Sequence, residues 1–335
     1  MRIYKGIALC LALLMFSGCA RTAGDTSIAD ESVALSAAAE GYVAAAALDK
    51  QGVEGEAAAL ADAPAAAVPD VLRPVASGVK EKRAAKAIID YSNTADGYVM
   101  VQYTAETTKR LKAQVKGPAT TYTYNLTAGQ WEVFPLSDGN GQYQVAVFEN
   151  VKDNKYASVA AVSFDVALAD EFAPFLRPNQ YVNYAAADNT LAKAQELIGG
   201  EENVLKKVEA VYDFVVGSLT YDKERAATVK SGYLPVLDSV LAEKKGICFD
   251  YSALMTGMLR SQGVPCKMVV GYAGKAYHAW ISVWSAETGW VDGAIFFDGL
   301  SWQRMDPTFA SSAGKNSSIM KYIGDGKNYT TKYLY

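Results

Sequence analysis

Two hydrophobic periodicities divide this 335-residue sequence and limit its possible folds more than any other feature. Over about residues 97–166, apolar and polar residues alternate in short runs, and turn-forming residues such as Lys116-Gly117-Pro118 separate those runs. From about Asp188 the apolar spacing changes to three and four residues. The first pattern predicts an antiparallel, immunoglobulin-like β-sandwich, and the second predicts amphipathic helices. We therefore expect a sandwich domain at residues 86–170 and a helix-containing domain at residues 171–335.

The first residues have the pattern of an export signal. Arg2 and Lys5 precede an apolar run over residues 7–16 that is too short for a membrane span, and Phe16-Ser17-Gly18-Cys19 ends it. Small residues before a cysteine are typical of bacterial lipoproteins, so we expect a signal peptide at residues 1–19 and lipidation of Cys19. This pattern predicts an exported protein that its lipid alone anchors to the outer face of a bacterial membrane. An ordinary secretory signal with an incidental cysteine is the alternative.

The segment between the signal and the sandwich is rich in alanine, glycine and acidic residues. Residues 20–85 contain two alanine-rich stretches of nearly low complexity and very few aromatic residues, which predicts a flexible tether with transient helix. The sandwich that follows contains no cluster of chemically reactive side chains, so we interpret it as a spacer or substrate-presenting module.

Composition excludes several classes of function. The formal net charge is −4 and no block of lysine or arginine occurs, so the sequence lacks the electrostatic pattern of a nucleic-acid-binding protein. The chain has one histidine, which excludes any metal site that needs several imidazole ligands. We expect neither a metal nor a cofactor.

The single histidine, His278, lies between a cysteine and an aspartate that suit nucleophilic catalysis. Cys248 follows Gly246 at the start of a helical run that ends near Gly263-Val264-Pro265. A cysteine at a helix N-terminus lies at the positive end of the helix dipole, which favours the thiolate. In this arrangement Cys248 would attack, His278 would transfer the proton, and Asp306 would orient the imidazole and stabilise its cation.

Other side chains near these motifs have simpler interpretations. We expect Cys266 to be a packing residue, and a helix about 20 Å long separates it from Cys248, which argues against a disulfide. Asp250 is most simply a favourable charge at the helix end. The backbone N–H of Cys248 is a natural oxyanion donor, and Tyr221 and Tyr233 are candidates for a second donor. Four tryptophans are predicted to lie in the core and the cleft wall, namely Trp280, Trp284, Trp290 and Trp302.

Four ordered motifs carry a resemblance to a known family. They are Gly-Ile-Cys-Phe-Asp-Tyr-Ser-Ala-Leu at 246–254, Gly-Val-Pro-Cys-Lys-Met-Val-Val-Gly-Tyr at 263–272, Tyr-His-Ala-Trp at 277–280 and Met-Asp-Pro-Thr at 305–308. Through them, residues 200–310 resemble the transglutaminase-like superfamily. The resemblance implies a papain-like α+β core with catalytic Cys248, His278 and Asp306. The family includes protein cross-linkers, peptidases, deamidases, glycan-releasing amidases and members without activity, so the resemblance leaves the reaction open.

Two departures from relatives argue against transferring a particular substrate. Animal transglutaminases have tryptophan where this chain has Phe249, and many bacterial relatives have Ala-Arg in place of Cys266-Lys267. We expect an extracytoplasmic enzyme that cleaves amides of proteins or cell-wall peptides through a thioester, with hydrolysis favoured over cross-linking. The alternatives are a catalytically silent binding or scaffold protein and a wall-associated protein whose anchor and tether carry the function.

Overall fold

The computed structural model describes residues 26–27, 70–273, 276–287, 289–297, 302–304 and 329–335. Two of the residues predicted from the sequence, Cys19 and Asp306, lie outside these ranges. Within the described ranges, no helix is both long enough and apolar enough to cross a membrane.

The first domain consists of two antiparallel sheets whose facing sides share one core. Its strands are β1 Thr26–Ser27, β2 Glu81–Arg83, β3 Ala87–Asp90, β4 Tyr98–Tyr103, β5 Leu111–Lys116, β6 Thr121–Leu126, β7 Trp131–Pro135, β8 Gly141–Lys152 and β9 Lys155–Val166. One sheet has the order β2-β3-β4-β7 and the other the order β1-β9-β8-β5-β6. The alternation along β6, in which Tyr122, Tyr124 and Leu126 are buried, shows why period two predicted this sheet.

The sandwich includes residues that the sequence assigned to the tether. Strand β2 pairs with β3 from Glu81 to Arg83, and the short strand β1 pairs with β9 through Thr26 and Ser27. The first domain boundary, expected at residue 86, therefore lies earlier. Alternation over three residues is too short to recognise in a sequence, which explains the difference.

The second domain is a mixture of helices and antiparallel strands, which confirms the predicted α+β class. Its helices are α1 Asp188–Ile198, α2 Val204–Ser218, α3 Lys223–Thr228, α4 Leu237–Glu243 and α5 Cys248–Ser261. Its strands are β10 Thr220–Tyr221, β11 Lys245–Gly246, β12 Cys266–Ala273, β13 Ala276–Ser285, β14 Gly289–Phe297, β15 Trp302–Arg304 and β16 Tyr329–Leu334. The main sheet has the order β15-β14-β13-β12-β16, and α5 packs between it and α1, α2 and α4.

A continuous hydrophobic core joins the two domains. In its centre the Tyr124 ring of β6 lies 5.7 Å from the Tyr181 ring, whose edge-on contact with Phe249 of α5 has a centroid distance of 5.3 Å. Gln180 Nε2 donates to the carbonyl oxygen of Asn125 at 2.7 Å, so the segment between the domains also hydrogen-bonds to β6. The sandwich is therefore packed against the helix that begins at Cys248.

Candidate active site

A short parallel strand pair brings Tyr221 next to the cysteine. Strand β10 pairs with β11 so that Tyr221 is opposite Gly246, two residues before Cys248. The backbone N–H of Asp222 donates to the Gly246 carbonyl at 2.8 Å, which extends the pairing. Burial is the main cause that raises the pKa of the Tyr221 hydroxyl, and a hydrogen bond from the Cys248 amide opposes that rise. The hydroxyl thus accepts from the amide that we expected to be the first oxyanion donor.

Gly246, two residues before Cys248, is required because the Asp250 side chain approaches it closely, and not because it ends a helix. Lys244 caps the C-terminus of helix α4 and adopts a left-handed conformation with φ 52°. A Cβ on Gly246 would lie 2.7 Å from the Cβ of Asp250, closer than real side chains approach. Gly246 therefore leaves room for the first turn of α5 to fold back on β11.

Cys248 occupies the first position of a helix whose 14 residues are all buried. Burial raises the pKa of its thiol to about 12, although the backbone amides of Ala279, Phe249 and Cys248 itself lower it by hydrogen bonding. The charge of Asp250 raises it further. We expected the helix end to favour a thiolate, but loss of solvation outweighs the backbone dipoles here, so the thiol stays protonated at neutral pH.

His278 lies on β13 and directly precedes Ala279, whose backbone amide faces Cys248. It pairs with Gly271 of β12, and the next residue, Ala279, provides the amide that bonds to the cysteine sulfur. Burial lowers the pKa of the imidazole to about 4. Between these two pKa values the pair consists of a thiol and a neutral imidazole, a form in which His278 can accept a proton from Cys248.

The two tyrosines proposed as oxyanion donors have different surroundings. Tyr221 bonds to the amide of Cys248, whereas the Tyr233 hydroxyl donates to Oδ1 of Asp250 at 2.7 Å. Oδ2 of Asp250 accepts the backbone N–H of Ile247 at 2.9 Å, which agrees with the predicted role of this carboxylate at the helix end. Arg225, which the sequence did not single out, lies 3.7 Å from the same oxygen.

Cys266 has the packing environment expected of it. It is fully buried, its Sγ lies 3.6 Å from Oγ1 of Thr256, and burial raises the pKa of its thiol to about 11. Cys248 and Cys266 are both free thiols, in agreement with the distance argument. Among the described residues, no group of three or more His, Cys, Asp and Glu side chains has the geometry of a metal site.

Two of the four tryptophans, Trp284 and Trp290, pack against the segment that follows the sandwich, and the side chain of Trp302 lies outside the described part of the chain. Trp280 is buried, and the rings of Trp284 and Phe172 are 4.5 Å apart. Trp290 packs edge-on against Phe175 at 5.5 Å, and Nζ of Lys267 lies 3.6 Å from the Trp290 ring centre. Trp284 and Trp290 therefore hold the junction between the domains together.

Part of the second domain is similar to a known family. Residues 191–307 match the model of the transglutaminase-like superfamily. The uncharacterized protein YebA of Bacillus subtilis (strain 168) is 29% identical over 117 residues, which cover 29% of this chain and 16% of YebA. The match thus spans only a small part of that relative's length.

Two solved structures also share similarity with the chain. A protein from Cytophaga hutchinsonii that is described as a candidate cysteine protease has a TM-score of 0.35 at 16% identity, covering 76% of this chain and 83% of that chain. The periplasmic domain of TgpA from Pseudomonas aeruginosa, bound to ethylmercury, has a TM-score of 0.29 at 18% identity, covering 70% and 76%. The family match confirms the resemblance that the four motifs predicted: residues 191–307, the part of the sequence that contains Cys248, His278 and Asp306, match the model of the transglutaminase-like superfamily.

Proposed function

We propose that this protein is an extracytoplasmic cysteine enzyme that cleaves amide bonds of proteins or cell-wall peptides through a thioester. The observation that carries the proposal is the placement of Cys248 at the start of a buried helix that packs against β13, the strand that contains His278. In the proposal, Cys248 is the nucleophile, His278 is the neutral base and backbone N–H groups are the oxyanion donors.

The first half of the reaction uses His278 as a general base. Its neutral imidazole takes the thiol proton while the sulfur of Cys248 attacks the amide carbonyl carbon, and negative charge develops on the carbonyl oxygen. The backbone N–H of Cys248 stabilises that charge once the Tyr221 hydroxyl releases it, and the hydroxyl is suited to donate as well. The carbon–nitrogen bond then breaks, the imidazolium gives its proton to the leaving amine, and a thioester remains on Cys248.

In the second half, His278 removes a proton from water as the water oxygen attacks the thioester. The acid product leaves, and the proton returns to the thiolate of Cys248. An amine would give a new amide by the same steps, but water is always present and no amine-binding site is evident in the sequence. Asp306 is proposed as the residue that orients His278, from its place in the sequence motif.

The proposed location follows from the N-terminal sequence. Lipidation of Cys19 would anchor the protein to the outer face of a bacterial membrane, where its substrates would be proteins or wall peptides. Replacing Cys19 with alanine should move the protein from the detergent-rich phase to the aqueous phase in Triton X-114 partitioning. Unchanged partitioning would refute lipid anchoring.

Alkylation of the full chain by iodoacetamide, read by mass spectrometry, tests the Cys–His pair. Trypsin releases Cys248 in the peptide 246–260 and Cys266 in the peptide 261–267, so each thiol reports separately. We expect Cys248 to react faster than Cys266 at pH 7 and His278→Ala to slow Cys248 alone, because only Cys248 has a neighbouring base. If Cys248 is alkylated equally slowly in the wild-type chain and in His278→Ala, the proposal of a cysteine enzyme is refuted.

A hydroxylamine assay tests the thioester. Hydroxylamine converts an acyl-enzyme into a hydroxamate, so the wild-type chain should form one from a mixture of envelope proteins and Cys248→Ser should form none. Product in the Cys248→Ser variant would exclude the proposed nucleophile.

A catalytically silent binding or scaffold protein is the second candidate. The observation in its favour is the burial of both reacting groups, since Cys248 is 3% exposed and His278 is 7% exposed. Such a protein would retain a partner from envelope extract equally well with Cys248→Ser, whereas an enzyme would show covalent capture only with the intact thiol.

A further inference from the structure

Residues on both faces of strand β6 are linked to the first turn of α5 through chains of contacts. On the inward face, Tyr124 contacts Tyr181, and Tyr181 contacts Phe249. On the outward face, Asn125 lies against the loop after α3, where a Cβ on Gly232 would approach its Nδ2 to 2.0 Å. The two routes end at Phe249 and Asp250, the two residues that follow Cys248.

The outward route continues through hydrogen bonds. Asn125 Oδ1 accepts from Nζ of the buried Lys112 at 2.7 Å, and this hydrogen bond fixes the side-chain amide of Asn125. Gly232 adopts φ 89°, which an L side chain rarely adopts, and this conformation lets the loop pass close to Asn125. The next residue, Tyr233, directs its hydroxyl to Oδ1 of Asp250 at 2.7 Å.

Asp250 is the point where this route meets the candidate active site. Its side chain is fully buried, it accepts the N–H of Ile247 at 2.9 Å, and Arg225 Nη1 lies 3.7 Å from its Oδ2. Nη1 of Arg225 also donates to the Tyr233 hydroxyl at 3.4 Å. The carboxylate thereby fixes the backbone one residue before Cys248 and places a negative charge two residues after it.

We infer that the sandwich is part of the catalytic apparatus: Asn125 supports Tyr233, and the pair Tyr233–Asp250 positions the first turn of α5 and sets the reactivity of Cys248. This inference rests on the proposed function, because it assumes that Cys248 is the nucleophile. It replaces the interpretation of the sandwich as a spacer, and it makes Tyr233 a positioning residue in place of an oxyanion donor.

Removing the acceptor and removing the donor of the Tyr233–Asp250 hydrogen bond should have opposite effects on thiolate formation at Cys248. The Asp250 charge opposes thiolate formation, so Asp250→Asn favours the thiolate while its amide oxygen still accepts from Ile247. The Tyr233 hydroxyl partly compensates that charge, so Tyr233→Phe disfavours the thiolate. Loss of packing alone would change both variants in the same direction.

Titratable groups on several elements surround this turn, and all of them are the same in the Asp250, Tyr233 and Asn125 variants. They are Tyr221 on β10, Asp222 before α3, Arg225 on α3, Glu243 on α4, Lys245 on β11, Tyr251 on α5 and His278 on β13.

The test is the second-order rate constant for alkylation of Cys248 at pH 8 in the full chain, read on the peptide 246–260. We expect Asp250→Asn to raise it about ten-fold and Tyr233→Phe to lower it about three-fold. The double variant should equal Asp250→Asn, because Tyr233 acts only through Asp250. Asn125→Ala should lower the rate, and it should have no further effect in the Tyr233→Phe background.

Matched controls separate positioning from unfolding. Cys266, on the strand that follows the far end of α5, should label at the wild-type rate in every variant, since faster labelling there would show a loosened helix. Asp238→Asn, which removes a carboxylate from the first turn of α4, and Tyr272→Phe, at a tyrosine that is 40% exposed, should leave Cys248 unchanged.

The result separates failure of the inference from failure of the proposed function. If His278→Ala slows Cys248 but Tyr233→Phe has no effect or accelerates it, the enzyme stands and the positioning role is refuted. If His278→Ala has no effect either, the enzyme itself is refuted. If Asn125→Ala lowers the alkylation rate of Cys248 as much in the Tyr233→Phe background as in the wild-type chain, the sandwich does not act through Tyr233 and its proposed contribution is refuted.

Discussion

The single histidine gives this protein an unusually simple acid response, which offers a direct test of the site. Burial lowers the pKa of His278 to about 4, whereas a histidine in an unfolded chain has a pKa of about 6.5. The unfolded chain therefore takes up a proton on this group at a higher pH than the folded chain does. The contribution to stability is complete above pH 6.5 and is lost progressively as the pH falls from 6.5 to 4.

The size of the effect follows from the two pKa values. At pH 5 the difference in proton uptake lowers the free energy of unfolding by about 2 kcal/mol relative to pH 8. We expect urea unfolding, followed by tryptophan fluorescence, to show this loss in the wild-type chain and not in His278→Gln. Carboxylates contribute equally to both proteins, so the difference between the two pH responses isolates the imidazole, because no other histidine exists.

Equal pH responses of wild type and His278→Gln would refute the reasoning. That outcome would mean that the imidazole is not buried in its neutral form and that a preformed thiolate–imidazolium pair would be the better description of the site.

Three further predictions concern the packing around the helix and the sandwich. Gly246→Ala should destabilise by about 1 to 3 kcal/mol in urea unfolding, because its Cβ would lie 2.7 Å from that of Asp250. Arg260→Leu should cost about 3 to 5 kcal/mol in the same assay, since its buried guanidinium donates to three backbone carbonyls at 2.6 to 2.8 Å. Glu149→Gln should reduce acid destabilisation between pH 4.5 and pH 2 by about 2 kcal/mol, because hydrogen bonds from Lys109, Tyr103 and Lys86 lower the pKa of that buried carboxylate to about 2.

Much of the fold was predictable because its elements carry strong local patterns. Strand β6, Thr121–Leu126, lies in the region where alternation predicted strands, and α5, Cys248–Ser261, begins at the predicted residue. Asn203, a residue type that favours helix starts, caps α2, with its side chain accepting the N–H of Lys206 at 3.0 Å. The short strands β2 and β3 and the helix α3 were missed because segments of three to six residues give too little periodicity.

The candidate site was predictable only in part. The order of Cys248 and His278 in the sequence predicted that they act together, and the structure packs β13, which contains His278, against α5, which begins at Cys248. The contact of Tyr233 with Asp250 was not predictable, because it depends on how a loop lies against the sandwich. The ionisation of Cys248 was also wrong, because a helix dipole is visible in a sequence but the depth of burial is not.

The helix that carries Cys248 has no face in contact with solvent, and this limits how the protein can evolve. On an amphipathic helix such as α2, outward positions can change without loss of packing, whereas each of the 14 positions of α5 contacts a neighbour that must change with it. New substrate preferences are therefore expected to arise in the segments that surround the helix end, such as the loop with Gly232 and Tyr233. Sequence changes would therefore accumulate in the segments around Cys248, while α5 itself changes little.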